Sequence, residues 1–220
     1  MSWRIDVRCA GSGGQGLALA AVVLAEVGLA ADCQVALTQE YGPEARGGAS
    51  RADVAISDAT IANPQCQVPG VLLALHDKAW RKFATGTPAM LAALGRGDSV
   101  AVVDEDLVDV APGIRNVLAL PFERVARDEL RAKVVANMLA VGALGRLLDR
   151  FPADLVEQGV LRRSPSAFRE LNTVAVRRGW AMMAALLDAA PAAIDAGLAA
   201  VGASAQGANG EVTADAGARP

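Results

Sequence analysis

Aromatic residues make up only 4% of the 220-residue chain, so its core has to be filled mainly by Ala, Val and Leu. Such small aliphatic side chains suit helices packed closely on a parallel sheet better than an aromatic-rich β-sandwich. Cysteine is equally sparse: Cys9, Cys33 and Cys66 are odd in number, widely spaced and form no CxxC pair. This argues against a disulfide framework, supplies no zinc or iron–sulfur ligand pattern, and fits a reducing cytoplasm. His76 is the single histidine, and its neighbours Leu75 and Asp77 carry no nucleophile motif, so it reads as a strand-end or surface residue. An excess of basic residues is also missing. The net charge of -3 argues against a nucleic-acid footprint, which needs clustered Lys and Arg. No basic segment followed by an apolar stretch and cleavage site stands at the N-terminus, and charges interrupt every apolar run short of bilayer length. The expectation is a soluble protein that is not exported and has no membrane partner.

What is present is 53% hydrophobic residues, enough for one substantial core, so residues 1–201 are expected to form a single domain. Short apolar runs at 5–10, 35–38, 49–56, 71–75, 100–103 and 116–120 read as strands. Helical segments are expected at 17–31, 78–94 with an interruption at Gly86 and Pro88, 122–130, 133–150, 152–161, 166–187 and 191–201. Strands alternating with helices predict an α/β fold, a three-layer sandwich in which a mostly parallel central sheet is flanked by helices. The later chain is mainly helical. Residues 202–220 are Gly, Ala, Ser and acid with one Val, and are expected to be a disordered tail because they cannot bury enough apolar surface.

Two glycine-rich loops follow strand candidates: Gly11-Ser12-Gly13-Gly14-Gln15-Gly16, and Tyr41-Gly42-Pro43-Glu44-Ala45-Arg46-Gly47-Gly48. Glycines allow tight turns and expose backbone N–H groups, and the first loop enters a helix whose dipole favours an anion, so the two together read as one anion-binding surface. Gly11, Gly13 and Gly16 match the G-x-G-x-x-G spacing, and Glu40 follows Gly16 by 24 positions, near where a ribose-binding acid belongs in a dinucleotide fold. The same glycines also serve plain strand-to-helix packing. Arg46 offers a planar fork for phosphate or carboxylate, or an internal pair with Glu44. Tyr41 can stack on a ligand or fill a partner's pocket, and Gln15 can bind a ligand or cap its own loop. Asp104, Asp106 and Asp109 read as solvated loop and helix-start charges rather than a metal site. Asn137 and Asn172 are candidate buried amides needing partners, with internal bonding the simpler reading.

The two loops, with Ala49-Ser50, Ile56-Ser57-Asp58 and Val135-Ala136-Asn137-Met138, resemble the gamma subunit of 2-oxoacid:ferredoxin oxidoreductases, most closely the 2-oxoglutarate branch. The resemblance runs from about Arg4 to about Met182. It implies an α/β chain that works with an alpha chain, a thiamine-diphosphate and magnesium-binding beta chain and usually an iron–sulfur delta chain. That assembly converts a 2-oxoacid and coenzyme A (CoA) to acyl-CoA and CO2 and passes electrons to ferredoxin. Carried onto this sequence, Gly11, Gly13, Gly14, Gln15 and Gly16, with Tyr41, Arg46, Gly47 and Gly48, are expected to face CoA or a neighbouring subunit, and no catalytic or metal-binding residue is expected in this chain. Consistent with that, no Gly-Asp-Gly with a distant Asn and no four-cysteine pattern occurs. Gly70 is a departure, standing where the family tends to carry Asp after Pro69. The competing expectation is a stand-alone NAD- or FAD-binding oxidoreductase or sensor module built on G-x-G-x-x-G and Glu40.

Overall fold

The computed structural model describes residues 2–40 and 48–189. The expected segment 191–201 and tail 202–220 lie outside the described residues, as do Tyr41, Arg46 and Gly47. Six strands form one sheet: β1 Arg4–Ser12, β2 Gln34–Glu40, β3 Ala49–Ser57, β4 Val71–Ala74, β5 Val100–Asp104 and β6 Val117–Leu120. Their spatial order is β2-β3-β1-β4-β5-β6. The three pairings from β1 to β6 are parallel, whereas β3 lies antiparallel to both β2 and β1, so the sheet is mixed. Only a short connection joins β2 to β3, and a link that short cannot make the crossover that parallel neighbours require.

Strand sequences follow from two-sided burial. In β4, Val71 and Leu73 join one core cluster while Leu72 and Ala74 join the other, and β5 divides Val100 and Val102 from Ala101 and Val103 in the same way. Every residue of both strands is buried, which is why they read as unbroken apolar runs rather than alternating ones. The larger cluster is covered by α1 Leu17–Ala30, α4 Phe122–Asp128, α5 Ala136–Leu148, α6 Ala153–Arg163 and α7 Arg169–Ala189. The smaller one is covered by α2 Asp77–Trp80, a π-helical turn Arg81–Thr85 and α3 Pro88–Arg96. Those three pieces replace the single interrupted helix expected at 78–94. Pro88 occupies the first turn of α3, where its missing N–H costs nothing, and the left-handed Gly97 ends that helix.

Helices α5 and α7 are in backbone contact. A Cβ on Gly142 would run into the Val176 carbonyl, and one on Gly179 into the Leu139 carbonyl. On the opposite sheet face, Arg8 is buried and bonds Asp53 through Nε and Nη2, both at 2.8 Å, with a further bond from Nη2 to the Cys66 carbonyl at 2.7 Å. That fork fixes β1 to β3 and holds the 58–70 segment over the sheet.

Candidate functional site

The chain leaves the carboxyl end of β1 into α1 on one face of the sheet, and leaves the carboxyl end of adjacent β4 into α2 on the other. Such a topological switch point, outside the two strand ends, is the usual ligand position in open α/β sheets. The first glycine loop follows one strand end and residues 75–77 follow the other. Gly14 and Gly16 have φ of 93° and 70°, left-handed values that side-chain-bearing residues adopt only with strain. Gly11 is required for space, since a Cβ there would lie 2.5 Å from Gln15 Oε1 and 2.7 Å from Leu17 Cδ1.

Gln15 ties the two strand ends together. Its Oε1 accepts from the Ser12 N–H at 2.7 Å and its Nε2 donates to the Leu75 carbonyl at 2.9 Å, so both ends of the amide are used within the chain. The second loop arrives beside the first because β1 and β3 pair in register, Gly11 opposite Ser50 and Ser12 opposite Ala49. The Gly13 N–H donates to the Gly48 carbonyl at 3.3 Å. The expected convergence of the two loops is therefore seen at Gly13 and Gly48, the part of it that falls on described residues.

α1 begins at Gly16 with no side-chain cap and no acidic residue in its first turn. Its first turn therefore brings no capping side chain and no carboxylate of its own to the positive end of the helix dipole, the condition under which a helix start attracts phosphate. The Gly16 carbonyl accepts from Ala20 N at 3.1 Å and from Asn137 Nδ2 at 3.0 Å.

His76 lies just beyond the end of β4, in keeping with its reading as a strand-end residue. His76 caps α2 by accepting the Lys78 N–H on Nδ1 at 3.1 Å, and Asp77 pairs with Arg81 at 2.6 Å. Yet Asp77 Oδ1 and Trp80 Nε1, together with Asn137 Oδ1, are buried side-chain polar atoms with no hydrogen-bond partner. An Asp followed at i+4 by Arg looks like an ordinary helix start, and no sequence signal marks the orphaned atoms.

The other candidates have structural roles. Asp104 is buried, contrary to its reading as a solvated charge: it accepts from the Glu123 N–H at 2.7 Å and the Asp106 N–H at 3.0 Å, tying β5 to α4. Burial pushes its carboxyl above the usual carboxylate range despite those bonds. Asp106 pairs with Arg124 at 2.8 Å, and Asn172 Nδ2 bonds Ser164 Oγ at 2.8 Å. Glu40 pairs with Arg51 at 2.7 Å across β2 and β3. Among the described residues no group of three or more His, Cys, Asp or Glu could hold a metal ion, and no helix is long and apolar enough to cross a membrane.

With this geometry in hand, a profile of the pyruvate ferredoxin/flavodoxin oxidoreductase family matches residues 6–182. The chain belongs to that family. Its relatives include the 2-oxoglutarate synthase subunit KorC of Methanocaldococcus jannaschii, 36% identical over 80% of this chain and 92% of that one. The gamma subunit of a keto/oxoacid ferredoxin oxidoreductase from Geobacter sulfurreducens is 38% identical, covers 82% of this chain and 99% of its own, and superposes with a TM-score of 0.69. A more distant fold match, at 21% identity and TM-score 0.68, is 2-oxoglutarate:ferredoxin oxidoreductase from Magnetococcus marinus, solved with 2-oxoglutarate, coenzyme A and succinyl-CoA. It covers 83% of this chain and 31% of the longer one. Within the family the chain is a gamma-type subunit of a 2-oxoacid:ferredoxin oxidoreductase. The stand-alone dinucleotide-binding alternative has no support, and the Glu40 carboxylate that motivated it is engaged by Arg51.

Proposed function

We propose that this chain serves a cytoplasmic 2-oxoglutarate-type oxidoreductase, helping to hold its catalytic chains together and offering CoA a phosphate-binding surface. Its partners are an alpha chain, a beta chain carrying thiamine diphosphate and magnesium, and an iron–sulfur delta chain that passes electrons to ferredoxin. The assembled enzyme turns a 2-oxoacid and CoA into acyl-CoA and CO2. The observation that carries this reading is the meeting of the two glycine segments at the start of α1. Two glycine segments touch at Gly13 and Gly48, outside the ends of β1 and β4, beside a helix start whose amides are uncapped. A donor-rich surface of that kind suits the phosphates of CoA. The relatives named 2-oxoglutarate synthase subunits, and the distant fold match solved with CoA, support the same substrate pair.

Gly11, Gly13, Gly14 and Gly16 supply the turn, Gln15 braces it from within, and Gly48 closes its far side. Tyr41, Arg46 and Gly47 are assigned to the same surface from their place in the motif, Arg46 as the cationic fork on a CoA phosphate. In the purified complex, Arg46→Gln should raise KM for CoA about tenfold or more while leaving KM for the 2-oxoacid unchanged, the scale expected for one charge-assisted phosphate contact. An unchanged KM for CoA would remove Arg46 from the site.

A further inference from the structure

We propose that Asn137 is the positioning residue for this phosphate site, acting through the Gly16 carbonyl rather than on the ligand. This deepens the CoA reading and rests on it. Asn137 sits in the first turn of α5, is only 4% exposed, and reaches across 121 positions of sequence to donate from Nδ2 to the Gly16 carbonyl at 3.0 Å. The orientation of its amide is fixed by chemistry. A carbonyl can only accept, so the nitrogen must face Gly16 and the oxygen must point elsewhere.

That oxygen has no partner and is fully buried. An unpaired buried acceptor costs stability, and an apolar residue of the same size would avoid the cost, so the bond to Gly16 is held at the expense of the rest of the side chain. Gly16 is a sensitive place to hold. It is the residue before α1, its φ is 70°, and its carbonyl also accepts the first helical bond, from Ala20 N. A Cβ there would collide with Asn137 Nδ2. Small rotations about Gly16 re-aim every free amide of the first turn of α1, because the loop and the helix start share this one peptide. Asn137 opposes those rotations from the second half of the chain, presetting the donors before the anion arrives and so lowering the ordering cost of binding.

The test compares two variants of similar size in the assembled enzyme, Asn137→Leu and Asn137→Asp, by steady-state kinetics over a range of CoA at saturating 2-oxoacid. Leu removes the pin and the orphaned oxygen together, so the fold has no new unpaired group. Asp keeps the shape but, when ionised, cannot donate to a carbonyl and sets a negative charge beside the helix start. The expected result is a rise in KM for CoA of about five- to tenfold for Asn137→Leu, a larger rise for Asn137→Asp that shrinks with added salt, and kcat at saturating CoA within about twofold of wild type. Wild-type KM for CoA in both variants overturns the proposal. Equal loss of kcat with unchanged KM also overturns it, because that pattern is general damage. If neither variant assembles, hydrogen exchange of the wild-type complex decides: CoA should slow exchange at the amides of Leu17, Ala18 and Leu19, and no change there overturns the proposal. A wild-type complex that oxidises its 2-oxoacid at the same rate without CoA instead overturns the CoA reading of the preceding subsection.

Discussion

Arg8 shows how a single side chain can hold together regions far apart in sequence. Its guanidinium is 2% exposed and spends three bonds on Asp53 and the Cys66 carbonyl, so β1, β3 and the 58–70 segment meet at one buried charge pair. Removing one member of such a pair strands the other. Arg8→Ala is expected to cost about 3–5 kcal/mol, whereas Arg8→Met combined with Asp53→Leu should recover most of it; denaturant melts of the two variants check this. Nothing in the sequence around Arg8 announces the pair, because its partner lies 45 positions away and charged residues in a strand ordinarily mark a solvated face. The same limit applies at the first glycine loop. Gly14 and Gly16 were legible as turn residues from type and spacing alone. Gln15 and Asn137 were legible only as amides in need of partners, since an amide that binds a ligand and one that braces a loop have the same chemistry. Distances to Leu75 and Gly16 separate the two uses.

At the scale of elements, α7 packs on α5 with no room for side chains at the crossing. Gly142 faces the Val176 carbonyl and Gly179 the Leu139 carbonyl, so even a methyl group must push the helices apart. Gly179→Ala is expected to lower stability by at least about 1–3 kcal/mol despite its gain in helix propensity, whereas Gly95→Ala, where a Cβ meets nothing within 4 Å, should be neutral or stabilising in a thermal melt. α7 is also tied down by Arg177 to Glu157 at 2.7 Å and Arg178 to Glu129 at 2.8 Å. The arginines hold both carboxyls below their ordinary range. A depressed carboxylate pKa in the folded state contributes stability above the unfolded value and loses it as pH falls through the folded one. Acidification below about pH 4.5 should therefore shed a small stabilisation that Glu129→Gln and Glu157→Gln lack, read as the difference in melting temperature across pH 3 to 6.

Strand positions were the most legible elements, because burial on both faces leaves uninterrupted apolar runs at β4 and β5. Strand direction was less so. An apolar run is silent about orientation, and the reversal of β3 follows from the short link before it. The helix expected at 78–94 became two helices and a π-helical turn for a local reason: the Gly86 N–H closes on the Arg81 carbonyl at 2.6 Å, and Pro88 starts a new helix.

Over the whole molecule, the fold brings both glycine segments to the carboxyl end of one six-stranded sheet and leaves several large apolar residues exposed. Val134 is 66% exposed immediately before Val135 and Asn137, and Phe168 is 45% exposed at the start of the long α7. Scattered apolar exposure is ordinary in a monomer, but here it accompanies a subunit of a multisubunit oxidoreductase, which fits a part made to be assembled. The most direct test is to tag this chain in its native host, purify it gently, identify the proteins that accompany it, and assay 2-oxoacid oxidation by the eluate with and without CoA. Co-purification with a thiamine-diphosphate-binding chain, and oxidation that depends on CoA, is the predicted result. A chain recovered alone, with no CoA-dependent 2-oxoacid oxidation in the eluate, would contradict it.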